Sequence, residues 1–413
     1  MLRHVFAGVL MLALLPGGVA AAQAPARLAA GVYIVTLAGG EPAAVAAEHA
    51  RVHGAVVDRV YAHALTGYAA RLSARAARAI ARDPRVASVV ADQRIALDPD
   101  EMAFGIAAEA ATTGQRIPTG IRRVGADRSR TRSGDGRGGV SVDVAVIDTG
   151  IDRDHPDLNV VGGVNCVGRG SNYDDGNGHG THVAGTIAAR DNGRGVVGVA
   201  PGARLHAVRV LDSQGNGSFS SIICGVDWVT ARAGIIEVAN MSLAGFAPTG
   251  HCRDGGLHEA VCDSVKAGVT YVVAAGNERV NASRIVPASY DQVITVSGLA
   301  DFDGRSGGRA RPTCSYDRDD TFADFSNYGA DVDVVAPGVC ILSTYRGGGY
   351  QTMSGTSMAS PHVAGAAALY LAHNRGASPQ RVQAALTGAG SSSWTSSDDG
   401  DRTKEPLLDV SGM

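Results

Sequence analysis

Residues 142–152 read VDVAVIDTGID, a short apolar run that ends in an aspartate, a threonine and a glycine. A nearly continuous apolar run is typical of a strand buried on both faces of a sheet, and the Thr149-Gly150 pair predicts a sharp turn after it. We therefore expect a central strand with Asp148 at its carboxyl end. Ligands of parallel sheets bind beyond that end, which makes Asp148 a candidate functional residue.

Apolar segments of the same kind recur downstream and alternate with amphipathic segments. The further strand segments are LHAVRVL (205–211), IIEVANM (235–241), VTYVVAA (269–275) and VITVSG (293–298). The helical segments are 180–190, 219–233, 256–267, 356–373 and 378–388. This alternation predicts an α/β fold, a doubly wound parallel sheet with helices on both faces.

The N-terminal part of the chain has a different pattern. Strand patterns at 31–37, 55–62, 66–72 and 86–92 alternate with helix patterns at 42–53 and 73–84. Ser73 is a good N-cap, and Pro84 marks the end of the second helix. The order β-α-β-β-α-β predicts a small α+β domain of ferredoxin-like topology. Residues 98–140 lack periodicity and predict an exposed linker followed by a loop-like start to the next domain.

The first 22 residues have the pattern of a secretory signal peptide. A basic start precedes an apolar run at 5–15 and small residues up to Ala22. The run is short for a membrane-spanning helix, although an N-terminal anchor is the alternative. We expect a secreted, extracellular protein.

The six cysteines are consistent with export, because oxidising compartments allow disulfides to form. Six cysteines allow 15 pairings, and the simplest is pairing of neighbours along the chain. That pairing gives Cys166–Cys224, Cys252–Cys262 and Cys314–Cys340.

Length and charge narrow the range of partners. The chain of 413 residues has room for about two domains, and its formal net charge is −3. Such a balance gives no indication of a nucleic-acid or membrane partner.

Two further polar residues stand at predicted junctions between loops and helices. His179 lies in NGHGTHVAG and Ser357 lies in SGTSMASPHVAG. A serine hydroxyl becomes a nucleophile when a histidine removes its proton, and a carboxylate orients that histidine. Asp148, His179 and Ser357 are therefore candidates for a catalytic triad.

Five sequence blocks, in this order, closely resemble the signature blocks of the subtilisin-like serine proteases. The blocks are VIDTGID, NGHGTHVAGTIAA, NMSLAG, VVAAGN and GTSMASPHVAG. The resemblance extends from about Gln115 to about Leu408. It implies a serine endopeptidase that hydrolyses proteins and peptides through an acyl-enzyme on Ser357.

The resemblance assigns roles in catalysis and substrate binding to further residues. Asn277 in VVAAGN matches the asparagine that stabilises the oxyanion. The implied substrate-binding residues are Gly215, Asn216, Gly217, Ser242, Leu243, Ala244, Ala274, Ala275, Gly276 and Ile285. Ile285, with no carboxylate beside it, predicts a pocket for an apolar or aromatic side chain before the scissile bond. The family usually has glycine at the position of Ala244.

The same resemblance implies how the chain is divided. Residues 23–98 would be a propeptide that inhibits its own enzyme, and residues 99–113 a linker that contains the maturation site. Residues 114–413 would be the catalytic domain, expected to act as a monomer.

The resemblance also implies structural calcium. The oxygen ligands of the main site would come from Gln115, Asp157, Arg190, Asn192, Arg194 and Val196. A possible second site would use Asp291, Val293 and Asp333.

Two alternatives remain open at this point. The first is a catalytically silent relative that only binds peptides, although such proteins normally lack a member of the triad. The second is a secreted serine esterase, a class that centres on G-x-S-x-G with the serine first in chain order. Here Ser357 is the last of the three residues.

Overall fold

A computed structural model describes residues 28–98, 114–168, 170–314, 317–395, 400–401 and 403–413. The predicted signal peptide at 1–22 and the predicted linker at 99–113 lie outside the described residues.

The N-terminal domain has the predicted order of elements. Its elements are β1 (Gly31–Leu37), α1 (Pro42–His53), β2 (Val56–Tyr61), β3 (Gly67–Leu72), α2 (Ala74–Ile80) and β4 (Val86–Ala91). The four strands form an antiparallel sheet in the order β2-β3-β1-β4. The Ser73 side chain accepts a 3.1 Å hydrogen bond from Ala76 N and caps α2, as expected. The ferredoxin-like prediction is confirmed.

The second domain is built on one large sheet. Strand β5 (Arg94–Ala96) precedes this domain. The strands of the domain, some of which lie outside the large sheet, are β6 (Asp143–Asp148), β7 (Val160–Asn165), β8 (Arg204–Arg209), β9 (Asn216–Ser218), β10 (Ile236–Met241), β11 (Gly245–Phe246), β12 (Thr270–Ala274), β13 (Ile285–Val286), β14 (Ile294–Ala300), β15 (Thr321–Phe322), β16 (Val334–Pro337), β17 (Ile341–Tyr345) and β18 (Gly349–Met353). The sheet order is β15-β14-β12-β10-β6-β8-β7, with β16 also paired to β14. All of these pairs are parallel except β14–β15.

Helices cover both faces of this sheet. They are α3 (Thr119–Arg123), α4 (His179–Ala188), α5 (Phe219–Thr230), α6 (Gly256–Lys266), α7 (Thr356–His373) and α8 (Pro379–Gly388). The central strand β6 serves two cores because side chains alternate between the faces of a strand. Val144 and Val146 pack in the cluster that contains residues of α4 and α7. Ala145 and Ile147 pack in the cluster that contains residues of α5 and α6.

Several strands were not predicted from the sequence. Strand β7 contains Gly162-Gly163, which is unfavourable for strand formation in isolation. The backbone needs glycine there, since a Cβ on Gly163 would lie 2.3 Å from Ala207 O. The edge strands β15 and β16 and the β17–β18 hairpin are short, and periodicity over a few residues is a weak signal.

Each cysteine pairs with its neighbour along the chain, so the simplest of the predicted pairings is confirmed. The three disulfides are Cys166–Cys224, Cys252–Cys262 and Cys314–Cys340. Among the described residues, no helix has the length and apolar character needed to cross a bilayer.

A buried ion-pair network ties α3 to the loop that follows β14. Arg123 Nε lies 2.9 Å from Asp301 Oδ2, and Arg123 Nη2 lies 2.7 Å from Asp320 Oδ1. Burial raises the pKa of Asp301 to about 7, and the nearby Arg123 opposes this rise only in part. The folded chain therefore binds a proton at Asp301 more tightly than the unfolded chain does.

This pKa has a consequence for stability. Between about pH 4 and pH 7 the folded state holds the Asp301 proton while the unfolded state releases it, so the unfolding free energy falls as pH rises through this window. Between pH 5 and pH 8, this difference in proton binding lowers the unfolding free energy by about 2.5 kcal/mol, and we expect Asp301→Asn, made in an inactive Ser357→Ala background, to remove that loss. Urea unfolding at pH 5 and pH 8 measures it. The matched control is exposed Asp154→Asn, and equal pH dependence of the Asp301 variant and its parent would contradict the assignment.

Candidate active site

A buried hydrogen bond joins the end of β6 to the start of α4. His179 Nδ1 lies 2.7 Å from Asp148 Oδ1, and both side chains are fully buried. The same Asp148 oxygen accepts a 2.7 Å bond from Thr149 N. Burial raises the pKa of Asp148, whereas the neighbouring His179 and these hydrogen bonds oppose the rise. The pair is therefore held by direct contact in a water-poor setting.

Glycine allows the helix to approach the aspartate this closely. A Cβ on Gly180 would lie 2.1 Å from Gly150 O and 3.1 Å from Asp148 Oδ1. Any side chain at position 180 would push α4 away from the turn after β6. The glycine in the sequence HGTH is thus required by packing, which the sequence alone did not indicate.

Asp175 organises the turn that leads into α4. Its two carboxylate oxygens accept hydrogen bonds from five donors: Thr149 Oγ1, Asn177 N, Gly178 N, Thr181 N and Thr181 Oγ1. Thr149 Oγ1 in turn accepts a 3.0 Å bond from Gly180 N. Asp175 thus fixes His179 beside Asp148.

Ser357 lies in the first turn of α7, which packs against both α4 and the central strands. Its hydroxyl donates a 3.4 Å bond to Ser242 O, and Ser242 Oγ donates a 2.8 Å bond to Ser357 O. These two bonds tie the start of α7 to the segment after β10. The residues Asp148, His179 and Ser357 thus stand at the ends of neighbouring elements, as the sequence predicted.

Asn277 is locked against the residue that precedes Ser357. Its Oδ1 accepts bonds from Thr356 N at 2.9 Å and Thr356 Oγ1 at 2.8 Å. Because Oδ1 is used in this way, the amide nitrogen is directed away from Thr356. Asn277 and Ser357 both line the same cavity.

That cavity has a volume of about 430 Å³ and contains most of the predicted pocket walls. It is lined by Ala96, Leu97, Asp98, Leu243, Ala244, Ala274, Gly276, Asn277, Glu278, Thr356 and Ser357. Ser242 and Ala275 are fully buried beside it. The extra methyl of Ala244 faces Gly276, where an added Cβ would lie 3.5 Å from it.

The end of the N-terminal domain lies in the same cleft. Strand β5 pairs antiparallel with β9, with Ile95 opposite Gly217 and Ala96 opposite Asn216. Leu97 N then donates a 3.0 Å bond to Gly215 O. The predicted cleft residues Gly215, Asn216 and Gly217 therefore bind an extended peptide through their main chain.

Two features of the pocket differ from the sequence prediction. Ile285 does not line the cavity, because its fully buried side chain packs in the core beside β11. Glu278 lines the cavity and was not predicted, although it directly follows Asn277. Asn327 Nδ2 donates a 2.7 Å bond to the Glu278 carboxylate and holds it there. The pocket is therefore not purely apolar.

Most residues of the predicted main calcium site lie together. The carbonyl oxygens of Arg190 and Val196 both face Gln115 Nε2, at 2.8 and 3.3 Å, and exchanging the nitrogen and oxygen of that amide would present a third oxygen to them. Asn192 Nδ2 lies 2.8 Å from Asp157 Oδ1, and burial raises the pKa of Asp157. This set of neutral oxygens and one buried carboxylate fits a hard cation. Arg194 belongs to the same loop and donates its N–H to Asn192 Oδ1 at 3.0 Å.

The possible second site fits a cation poorly. The amide nitrogen of Gln383 lies 2.8 Å from Asp333 Oδ1 and 3.4 Å from Val293 O, in the place that a cation would need. Asp333 Oδ2 accepts a 2.8 Å bond from Thr295 N. Asp291 is exposed to solvent. Protein donors thus contact two of the three proposed ligands, Asp333 and Val293.

Comparisons with known proteins agree with this geometry. The profile of the subtilase family matches residues 139–402, and that of the peptidase inhibitor I9 family matches residues 32–98. Subtilisin DY of Bacillus licheniformis is 44% identical over 260 residues, which cover 62% of this chain and 85% of that protein. Subtilisin E of Bacillus subtilis is 43% identical over 307 residues, 73% of this chain and 70% of the relative. The crystal structure of a cold adapted subtilisin-like serine proteinase superposes with a TM-score of 0.57 at 36% identity, over 71% of this chain and 97% of that one.

The Asp175 network predicts the effect of a substitution. Asp175→Ala leaves five buried or partly buried donors without their acceptor, so we expect a loss of about 3 kcal/mol in unfolding free energy and a melting temperature lower by about 6 °C or more. Scanning calorimetry of the full chain in the Ser357→Ala background measures this change. Exposed Asp154→Ala serves as the control and should change little, whereas equal shifts for the two variants would contradict the role of Asp175.

Proposed function

Because this chain belongs to the subtilase family, we propose that it is the self-inhibited precursor of a serine endopeptidase whose reaction is carried by Asp148, His179 and Ser357. The endopeptidase activity follows from the family. The assignment of residues rests on one observation above all, the 2.7 Å contact between buried Asp148 and His179 at the sheet edge where α7 presents Ser357.

The proposed chemistry begins with a proton transfer. His179 accepts the Ser357 hydroxyl proton as the oxygen attacks the carbonyl carbon of the scissile bond. Asp148 holds the imidazole in the tautomer with Nδ1 protonated and stabilises the imidazolium that forms. The imidazolium then protonates the leaving nitrogen, the peptide bond breaks and an acyl-enzyme remains. Water hydrolyses the acyl-enzyme by the same two proton transfers in reverse roles.

The negative charge that develops on the carbonyl oxygen needs fixed donors. We assign this role to the Asn277 amide nitrogen and the N–H of Ser357, at the start of α7. Thr356 supports the assignment because its two bonds to Asn277 Oδ1 fix the orientation of the amide. A donor that is fixed in place costs no reorganisation when the charge appears.

Substrates would bind as β5 does. Pairing with β9 uses only main-chain groups of the peptide, so it accepts many sequences. Discrimination would come from the cavity, where Glu278 adds a negative charge to apolar walls. The subtilase family implies protein substrates, and the pairing of β5 with β9 indicates that they bind in an extended conformation.

The N-terminal domain is a peptidase inhibitor domain, and its contacts support inhibition within the same chain. Asp227 of α5 accepts bonds from Ala62 N, His63 N and Ala64 N at 3.1, 2.7 and 2.8 Å. Asp92 accepts bonds from Ser220 N and Ser220 Oγ at the other end of that helix. The two anchors hold the domain across the cleft so that β5 blocks it.

The register of β5 also bears on maturation. Asp98 reaches the cavity beside Ser357, and the next residue in the sequence is Pro99. A bond before proline has no N–H, and the ring crowds the nitrogen that His179 would have to protonate. We therefore assign maturation to bonds in residues 99–114 other than Asp98–Pro99. Residues 23–98 would then form the released propeptide and residues 99–113 the linker.

Export is the remaining assignment. Three disulfides agree with an oxidising compartment. We assign residues 1–22 to a signal peptide and an extracellular location to the mature enzyme.

The experiment that tests this function compares the chain with Ser357→Ala. The parent should lose residues up to its maturation site and hydrolyse casein, whereas the variant should remain uncut because no acyl-enzyme forms. Intact mass and N-terminal mapping follow the cleavage. Spontaneous loss of the propeptide from the purified variant, or a new N-terminus at Pro99 in the parent, would contradict the proposal. Cleavage of esters without casein hydrolysis would favour the esterase alternative.

The main calcium site has its own test. Removal of calcium should leave the carbonyl oxygens of Arg190 and Val196 without their cation. EDTA should therefore lower the melting temperature of the inhibited mature enzyme by several degrees. Asn192→Ala should abolish most of that difference, and exposed Asn374→Ala should keep it. An EDTA-insensitive transition in the parent would remove calcium from this account.

A further inference from the structure

An exposed loop rich in arginine follows β14. The segment 302–314, here called the arginine loop, contains Arg305, Arg309 and Arg311, and all three side chains are exposed. No ion pair joins any of the three to another residue in the described parts of the chain. Arg122, also exposed, lies under the loop, where a Cβ on Gly304 would be 2.9 Å from its Cβ. The three arginines outnumber the one exposed carboxylate of the loop, Asp303, so the loop presents a net positive charge to solvent.

Buried carboxylates hold this loop in a fixed shape. Asp319 accepts bonds from Phe302 N and Ala310 N, both at 2.9 Å. Asp320 accepts bonds from Gly307 N and Gly308 N and is itself paired with Arg123. Asp319 and Asp320 are 4% and 2% exposed. The loop main chain is thus anchored from below, which leaves its arginine side chains outside as a preformed surface rather than a flexible tail.

The arginine loop is also tied to the segment that carries Ser357. Its last residue, Cys314, forms a disulfide with Cys340, and Cys340 N donates a 2.9 Å bond to Ser354 Oγ. Cys314 Sγ lies 3.8 Å from the same oxygen. Ser354 precedes Ser357 by three residues, so their Cα atoms are at most about 11 Å apart. Arg311 precedes Cys314 by three residues, so the Cα atoms of these two residues are also at most about 11 Å apart.

Those distances fit the stretch of substrate beyond the cut. The bound strand β5 approaches Ser357 along β9, and its end at Asp98 shares the cavity with Ser357. Ser354 does not line that cavity. A peptide that continues past Ser357 spans about 20 Å with about six extended residues.

We propose that the arginine loop binds acidic side chains of the substrate on the leaving-group side of the scissile bond, within about six residues of it. Guanidinium groups match carboxylates in geometry as well as charge. The inference rests on the proposed endopeptidase function and adds a preference to it.

Two quenched fluorescent peptides test the proposal on the mature enzyme. They share the residues before the cut and differ after it, with Asp-Glu-Asp in one and Gln-Ser-Gln in the other at the second to fourth positions. We expect kcat/KM to be about 5- to 10-fold higher for the acidic peptide at low salt, since each exposed pair contributes modestly. In 0.5 M NaCl most of this advantage should disappear, because salt screens exposed charges.

Substitutions identify the surface. Arg305→Gln, Arg309→Gln and Arg311→Gln together should abolish the advantage and leave the rate on the neutral peptide unchanged. The matching triple Arg→Lys variant should keep most of it, which also separates charge from misfolding. The control variant Arg375→Gln with Arg381→Gln, beyond the far end of the 18-residue α7, should behave as the parent.

Each outcome has a distinct meaning. Equal rates of the parent on both peptides, or an acidic preference that survives the triple Arg→Gln substitution, would overturn the arginine surface. Failure to hydrolyse either peptide would instead refute the endopeptidase function on which the inference rests.

Discussion

The hydrogen bond between Asp148 and His179 is the constraint on which the rest of the site depends. It places a carboxylate in the protein interior, where an unpaired charge would be strongly disfavoured. The fold therefore surrounds the pair with groups that keep it in register. Strand β6 lies in the middle of the sheet, Gly180 lets α4 approach, and Asp175 fixes the turn between them. Each of these contacts has the same result, a histidine held at one distance from one carboxylate.

Much of this arrangement follows from local sequence patterns. The β6 run, the helix starts at His179 and Ser357 and the Ser73 cap were predicted because periodicity and capping are local properties. Strand β7 was missed because its stability comes from close packing against Ala207 rather than from its two glycines. Glu278 and the burial of Ile285 were missed because the direction of a side chain in an irregular loop depends on distant partners such as Asn327. The contacts of Gln383 with the possible second cation site were missed because Gln383 is remote in sequence.

One peptide-binding edge serves both inhibitor and substrate. The main chain of β9 pairs with β5, and nothing in that pairing depends on the identity of the bound side chains. Inhibition must therefore be strengthened elsewhere, and Asp227 and Asp92 provide this through contacts at the two ends of α5. Selection among substrates falls to groups around the nucleophile, with Glu278 before the cut and the arginine loop after it. The two carry opposite charges, which would give a peptide a preferred polarity across the active site.

The central claim is that Asp148 and His179 activate Ser357, and the rate of covalent labelling by a fluorophosphonate tests it most directly. Mature enzyme is compared with Asp148→Asn enzyme whose propeptide has been removed by the parent. The account predicts a single label on Ser357, found by peptide mapping, and labelling slower by roughly 10⁴-fold in the variant. A label on another residue, or equal rates for the two proteins, would contradict it.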